Sequence, residues 1–512
     1  MWSGDPFHFM NLAFLKRLKG LCILPVLLFS GIGFLVMGYH PGAEDNEVYL
    51  PAIKADLNTS LFPHDAVFFQ LQMRTSVFPH LLAHSVAMTG MPLEWAELLW
   101  QLASIFMILW ACWSVVCQLF EEAEARWAGL AMVAAMFTLP VAGTGLYIVD
   151  QYLHPRAMAT ALILFGVSRI LSGKGWQSVP LLVLGTVLHP LMGALGISFC
   201  CILALTLFEP LQTRLRALRV GPVSNSSATV AAFLPLGSVF HPPSQIWLEI
   251  ARNRHLLRLY QWEWYEWLGA IAPLLLFALV AYVAHRRRET KLARFATAIC
   301  VYGVFQMAVA MIVLGPKSLI GLSALEPMRF LHLIYVLLML VGGAYLGRHV
   351  LQRKAWRWAV LLILANGGMF IAQRQLFAGT EHLELPERSS ANPWLQAFTW
   401  IRQNTPGDAY FALDPNYLAA PGEDYHGFRA LAERSQLADN IKDRSMVTLV
   451  PELCEEWDRQ VKAQQGWAHF QLTDFERLKA QFGVNWVVVS YPPPGGLACR
   501  WHNDAVSVCQ VP

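Results

Sequence analysis

The sequence predicts a polytopic α-helical membrane protein with about eleven spans and a small C-terminal α/β domain outside the bilayer. Three observations carry this. The 512 residues are 55% hydrophobic and only 14% charged, against roughly 25% charged in an average soluble domain. Several apolar stretches reach the ~20 residues that a bilayer crossing needs. From Pro393 onward the pattern changes to short amphipathic helices alternating with valine-rich strands.

Lys16, Arg17 and Lys19 precede an apolar run from Leu21 to Met37. No small-x-small cleavage site follows, because Gly38-Tyr39-His40-Pro41 is a poor one, so the run reads as an uncleaved first span. Further spans are expected at 97–119, 127–147, 156–172, 178–189, 190–207, 222–240, 268–284, 295–314, 330–347 and 357–373. The stretch 178–207 is too long for one span, and His189-Pro190 in its middle predicts two short helices, since proline cannot donate into the helix ladder. The 222–240 segment is the weakest, interrupted by the polar Ser224-Asn225-Ser226-Ser227.

An odd number of spans puts the termini on opposite faces. Arg214, Arg216 and Arg219, then Arg286, Arg287, Arg288, Lys291 and Arg294, then Arg348, Arg353, Lys354 and Arg357 all fall in loops on the N-terminal side. This bias predicts an inside N-terminus and an outside C-terminus. Glu121, Glu122 and Glu124 share that side, but acidic residues count little in the rule. The outer face then collects a long first loop, 39–95, the loops 150–156, 241–267 and 315–329, and the tail. Tyr260, Trp262, Trp264, Tyr265 and Trp267 read as an interfacial aromatic run. The amphipathic stretch 66–89 is expected to lie along the membrane; if 75–90 crossed instead, the span count would become even.

Two regions are thus expected: a membrane region, 1–380, and a soluble region, 381–512. Charge divides the same way. Residues 1–380 hold 27 Lys+Arg against 18 Asp+Glu, and residues 381–512 hold 11 against 17. An acidic tail on a basic membrane body is poor material for nucleic-acid binding. In the tail, Trp394–Asn404 reads as a helix, Ala409–Leu413 as a strand, Phe475–Phe482 as a helix capped by Gly483, Val484–Tyr491 as a buried strand and Val506–Val511 as an edge strand. It has no Gly-rich phosphate loop. The nine cysteines form no CxxC pair, which argues against a zinc ribbon. In an oxidising compartment Cys499 and Cys509 can pair across a hairpin.

The residues able to carry chemistry gather on the outer side. Glu44-Asp45-Asn46-Glu47 follows the first span. Its carboxylates suit a general base, or a ligand for a divalent cation such as Mg²⁺ or Mn²⁺; they equally suit a solvated loop capping a helix that begins near Glu47. Phe62-Pro63-His64-Asp65 adds an acid that either serves a substrate or opens a helix at Ala66. Histidine precedes proline at His40, His154, His189 and His241, either as metal ligands or as interfacial residues at helix ends. Asp150 and Arg156 bracket a short loop. Arg329, in Glu326-Pro327-Met328-Arg329, suits a lipid phosphate, because a guanidinium binds phosphate oxygens bidentately; the alternative is an anchor paired with Glu326.

Together these features resemble the GT-C class of integral membrane glycosyltransferases. The sequence is most similar to uncharacterised GT-C-like bacterial multi-pass proteins through the stretches 60–69, 188–193, 326–340, 400–415, 428–443 and 455–460. The resemblance implies a bacterial cytoplasmic membrane protein with a periplasmic domain. It implies sugar transfer from a polyprenyl-phosphate-linked donor to an extracytoplasmic acceptor. By resemblance, Asp45 is the base or metal ligand, Glu44 and Glu47 support it, and Arg329 holds donor phosphate. His189, Asp65, Asp150 and Arg156 are the further substrate-binding candidates. Two other classes remain: a transporter or flippase of lipid-linked saccharide, and a catalytically inactive GT-C-like assembly protein.

Overall fold

An apolar helix with no polar face buries itself in protein or in lipid. The computed structural model describes residues 23–208, 244–252, 254, 257–314 and 317–512. Among these, six helices are long and apolar enough to cross a membrane by length and composition: Leu93–Leu119, Pro190–Leu207, Trp264–Arg286, Thr290–Leu314, one within Gly321–Leu351, and Ala355–Leu376. They present Leu275, Leu279, Ile312, Ile363, Leu364 and Ile371 outward. An exterior of that kind requires a lipid solvent. The chain is a helical membrane protein.

Several expected spans are shorter than a bilayer crossing. The first, Ile23–Met37, is a short apolar helix over its described part. The expected span 127–147 is a helix only over Ala123–Ala135, followed by a hairpin of β1 (Pro140–Val141) and β2 (Leu146–Tyr147). Pro140 removes an amide donor, and Gly143 and Gly145 turn the chain with φ of +62° and +66°. The break at His189-Pro190 is present, and Ser178–Leu188 and Pro190–Leu207 pack on each other where Gly193 lies against Thr186. The stretch 75–90 does not cross: its helix, Phe78–Thr89, has 12 residues, about 18 Å at 1.5 Å per residue. The expected 222–240 span and His241 lie outside the described residues.

The helix Pro155–Leu171 is the axis of the bundle, buried along nearly its whole length against Leu93–Leu119 and the two helices of 178–207. Ala123–Ala135 and Leu331–Leu346 approach so closely that a Cβ on Gly129 would lie 2.5 Å from the Leu340 carbonyl oxygen. Gly343 and Gly347 form the matching small-residue ridge. Ala355–Leu376 stands outside this core, with only Gln373 buried.

The C-terminal region is a five-stranded mixed sheet in the order β4-β3-β5-β7-β6. β3 is Tyr410–Ala412, β4 Ser435–Gln436, β5 Trp486–Ser490, β6 Ala498–His502 and β7 Val506–Gln510. β3 runs parallel to β4 and β5, while β5, β7 and β6 are antiparallel. Trp486 and Val488 face the helix Pro393–Asn404, and Val487 and Val489 face Leu472–Phe482. Burial on both faces explains the unbroken valine run. The expected edge strand β7 lies inside the sheet. The edge on that side is β6, which has no fully buried residue and so lacks the apolar run that marks β5. Cys499 and Cys509, opposite each other on β6 and β7, are disulfide-bonded.

Candidate functional site

The four residues Glu44–Glu47 do not act as one cluster. Glu44 has a left-handed backbone, φ +53°, and its amide donates to the carbonyl of Tyr425. The helix Asn46–Leu57 then starts directly after Asp45, whose side chain does not cap it. The change of direction sends Glu44 and Asp45 to one side and Glu47 to the other. Each side meets a different cation from the C-terminal domain.

On one side, the ammonium of Lys442 bridges Glu44 Oε2 at 2.5 Å and Asp45 Oδ1 at 3.1 Å. The Glu44 and Asp45 side chains remain 34% and 37% exposed, so they can meet a ligand. Asp45 Oδ2 lies 3.8 Å from His154 Nε2. Burial pushes the Asp45 carboxyl up, but the charge of Lys442 above all, then His154, Arg156 and Arg329, holds it well below the usual carboxylate range. Lys442 rises in turn: burial lowers it, but Asp45 and Glu44 outweigh the burial.

Behind this pair stands a second layer. His154 and His189 are N-caps of Pro155–Leu171 and Pro190–Leu207, where Nδ1 of each accepts a backbone N–H, from Arg156 and Met192 respectively. Their rings lie 5.7 Å apart. The helix-end reading of these His-Pro pairs therefore describes what they do in the fold. Arg156 and Asp150 form a buried bidentate pair at 3.2 and 2.7 Å, leaving Arg156 Nη1 with no partner. Arg329 pairs with Glu326, which Arg254 also holds at 2.9 Å. The charge of Arg329 acts on Asp45, Asp150, His154 and His189 alike. Five of the sequence-derived residues, Asp45, Asp150, Arg156, His189 and Arg329, thus share one electrostatic neighbourhood.

Glu47 and Asp65 do not belong to it. Both are sealed against Arg429, which is 1% exposed. Arg429 donates to Asp65 Oδ2 at 2.5 Å, to Asp443 at 3.0 and 2.8 Å and to Glu47 Oε1 at 3.3 Å, with Asp439 at 3.9 Å. Glu47 also accepts from the amides of Arg429 and Ala430 and from Gln436 Nε2. One guanidinium faces four carboxylates. Burial pushes the Glu47 carboxyl up to about 8 despite Arg429, and burial raises Asp443 too. Gly427 is required beside Glu47, since a Cβ there would fall 1.8 Å from its Oε2. Asp65 starts the short helix Ala66–Phe68 without capping it, and its Oδ2 instead accepts from Arg429 and the Gln436 amide.

A divalent cation at Asp45 would have to displace the Lys442 ammonium. Mg²⁺ and Mn²⁺ want several carboxylate or water oxygens, whereas the two carboxylates here are bridged by an ammonium, with two guanidiniums in the neighbourhood. Among the described residues, the group with metal-ligating geometry is elsewhere: His40, Glu384 and His426.

Fold and site define a helical membrane protein that presents an ionised, partly open carboxylate at the junction with its C-terminal sheet domain. No family model and no curated protein matches the chain. Among solved structures it is similar to two crystal structures of the Archaeoglobus fulgidus oligosaccharyltransferase. One, a complex with Zn and sulfate, has a TM-score of 0.43 at 11% identity, covering 91% of this chain and 68% of the other. The second, tethered to an acceptor peptide containing the NVT sequon via a disulfide bond, has a TM-score of 0.45 at 11% identity, covering 93% and 70%.

Proposed function

We propose that this protein is a membrane glycosyltransferase that moves a sugar from a polyprenyl-phosphate-linked donor to an acceptor on the extracytoplasmic side, with Asp45 as the base. The reading rests on one observation above all: Asp45 stands partly exposed in a field made by Lys442, Arg156 and Arg329.

The donor's lipid tail already lies in the bilayer, and its leaving group is a phosphate. Lys442 and Arg329 supply the positive charge that a departing phosphate needs. A carboxylate held well below its usual pKa is a weak base, so the resting site is quiescent. When donor phosphate draws Lys442 toward itself, Asp45 loses its strongest stabilising charge and becomes basic enough to accept a proton from an acceptor hydroxyl. Donor binding thereby switches on the base. No metal takes part in this scheme. Glu44 steers Lys442, and Glu47 and Asp65 hold the soluble domain in place.

The test uses full-length protein in nanodiscs with a radiolabelled polyprenyl-phosphate sugar. Asp45→Asn is expected to lower transfer by about 10²- to 10⁴-fold, the range of a general base, while the protein stays folded in the membrane. Transfer at the wild-type rate in that variant would remove the mechanism. One observation favours the inactive assembly reading instead: Glu47 and Asp65, two of the five expected acidic residues, serve a structural contact. That reading predicts no labelled product from the wild type with any polyprenyl-linked sugar, and it predicts that the soluble domain binds a protein partner. The inside–outside orientation is tested by reporter fusions at residue 60 and at the C-terminus, which should report the same compartment.

A further inference from the structure

We infer that His40, Glu384 and His426 form a zinc site that staples the loop carrying Asp45 to the C-terminal domain. The three side chains come from three distant segments. His40 follows the first apolar helix, Glu384 lies in the linker after Ala355–Leu376, and His426 lies in the loop before the helix Phe428–Ala432. Ligand-capable atoms of all three lie within 4.8 Å of one another. His40 Nδ1 is 2.6 Å from Glu384 Oε1, and His426 Nε2 is 3.0 Å from Glu384 Oε2. Both imidazoles are completely buried, and the His40 ring stacks on Phe377 with centroids 3.8 Å apart.

Two imidazoles and one carboxylate make a set that suits Zn²⁺, which takes three such ligands and leaves a fourth position for water. Hard cations that prefer all-oxygen shells suit it poorly. The Glu423 carbonyl lies 3.1 Å from His426 Nδ1 and accepts its N–H, so it would be the outer partner that fixes the ring with Nε2 turned toward a metal.

The backbone around the three ligands is already woven together. The Tyr39 amide donates to the His382 carbonyl, and the Glu384 amide to the Tyr39 carbonyl. Ala43 pairs with His426 in an antiparallel bridge, and the Gly427 amide donates to the Gly42 carbonyl. A metal here locks the crossing of these strands, a few residues from Glu44 and Asp45. This inference does not depend on the transfer reaction.

The experiment uses the full chain in nanodiscs, stripped with a chelator and then given Zn²⁺ alone. About one zinc per chain by elemental analysis and a raised Tm are expected, because a ligand that binds only the folded form stabilises it. His426→Gln and Glu384→Gln should each hold less than about a tenth as much zinc, while Asp45→Asn should hold the wild-type amount. Co²⁺ in the stripped wild type should give the visible absorption of a four-coordinate site, which needs no variant to fold. Stripped wild type that neither retains Zn²⁺ nor shifts in Tm overturns the inference, as does stoichiometric zinc that persists in both variants.

Discussion

Lys442 and Arg429 stand thirteen residues apart in the same domain, and both reach back to the same four-residue acidic motif. Yet the two contacts are opposites. At Lys442 one ammonium serves two half-open carboxylates, and among the described residues the next ionisable nitrogen is His154 Nε2, 3.8 Å from Asp45. At Arg429 one guanidinium serves four carboxylates, and every member is sealed from solvent. A sealed cluster with excess negative charge holds geometry; its groups cannot meet a ligand. An open pair whose cation can swing away is available for chemistry. The division falls between Asp45 and Glu47 because the helix starts there.

The largest expected effect comes from removing the sealed cation. Arg429→Met leaves buried carboxylates uncompensated, and breaking such a network costs about 3–5 kcal/mol. The variant should lose its cooperative unfolding transition or show a much lower Tm, and limited proteolysis should digest the C-terminal sheet domain faster than in the wild type. Lys442→Met should do the reverse. Its partners keep access to water, so the Tm should move little, while transfer falls about 10²- to 10³-fold, as when one charge-stabilising donor is lost. Similar Tm losses in the two variants would erase the distinction between the clusters.

A middle-sized effect tests how tightly the sealed side is built. Gly427→Ala places a methyl against Glu47 Oε2. Overpacking of this kind costs about 1–3 kcal/mol, read as a lower Tm with transfer per folded molecule unchanged. A neutral substitution would mean that Glu47 can move, and that the cluster is not rigid.

How much of this the sequence disclosed follows from the range of each interaction. Helices such as Leu93–Leu119 and Pro393–Asn404 were legible because their signals are local: apolar run length, and the 3.6-residue period. The hairpin at 140–147 resembles membrane helix in the sequence because an apolar run looks alike in either state, although Pro140, Gly143 and Gly145 punctuate it. The acidic motif was visible as a motif, but its division was not. Lys442 is 398 residues from Glu44 and Arg429 is 382 from Glu47, and no local spacing encodes a contact across that distance. The stretch 428–443 resembled GT-C-like sequences and contained both cations; its charges could not be told from a solvated surface. His40 stands out in the sequence by the proline that follows it, whereas Glu384 and His426 carry no local signal.

The smallest expected effect is a slope with pH, and it isolates Glu47 from its neighbours. Its carboxyl is pushed from 4.5 up to about 8 in the folded protein. A group whose pKa is raised by folding lends stability in full below its unfolded value and loses it as pH rises through the folded value. The Tm should therefore fall between about pH 4.5 and about pH 8 and level off above it. Asp443, raised in the same direction by burial, adds to the slope. Glu47→Gln removes the largest titrating member while keeping its size, so the slope should flatten, with the Tm at high pH equal to or above the wild type's. Asp45, held below its usual range, contributes the opposite sign and only under acid conditions. An unchanged slope in Glu47→Gln would mean that Arg429 keeps that carboxylate ionised, and that the excess charge of the sealed cluster is carried by Asp65, Asp439 or Asp443 instead.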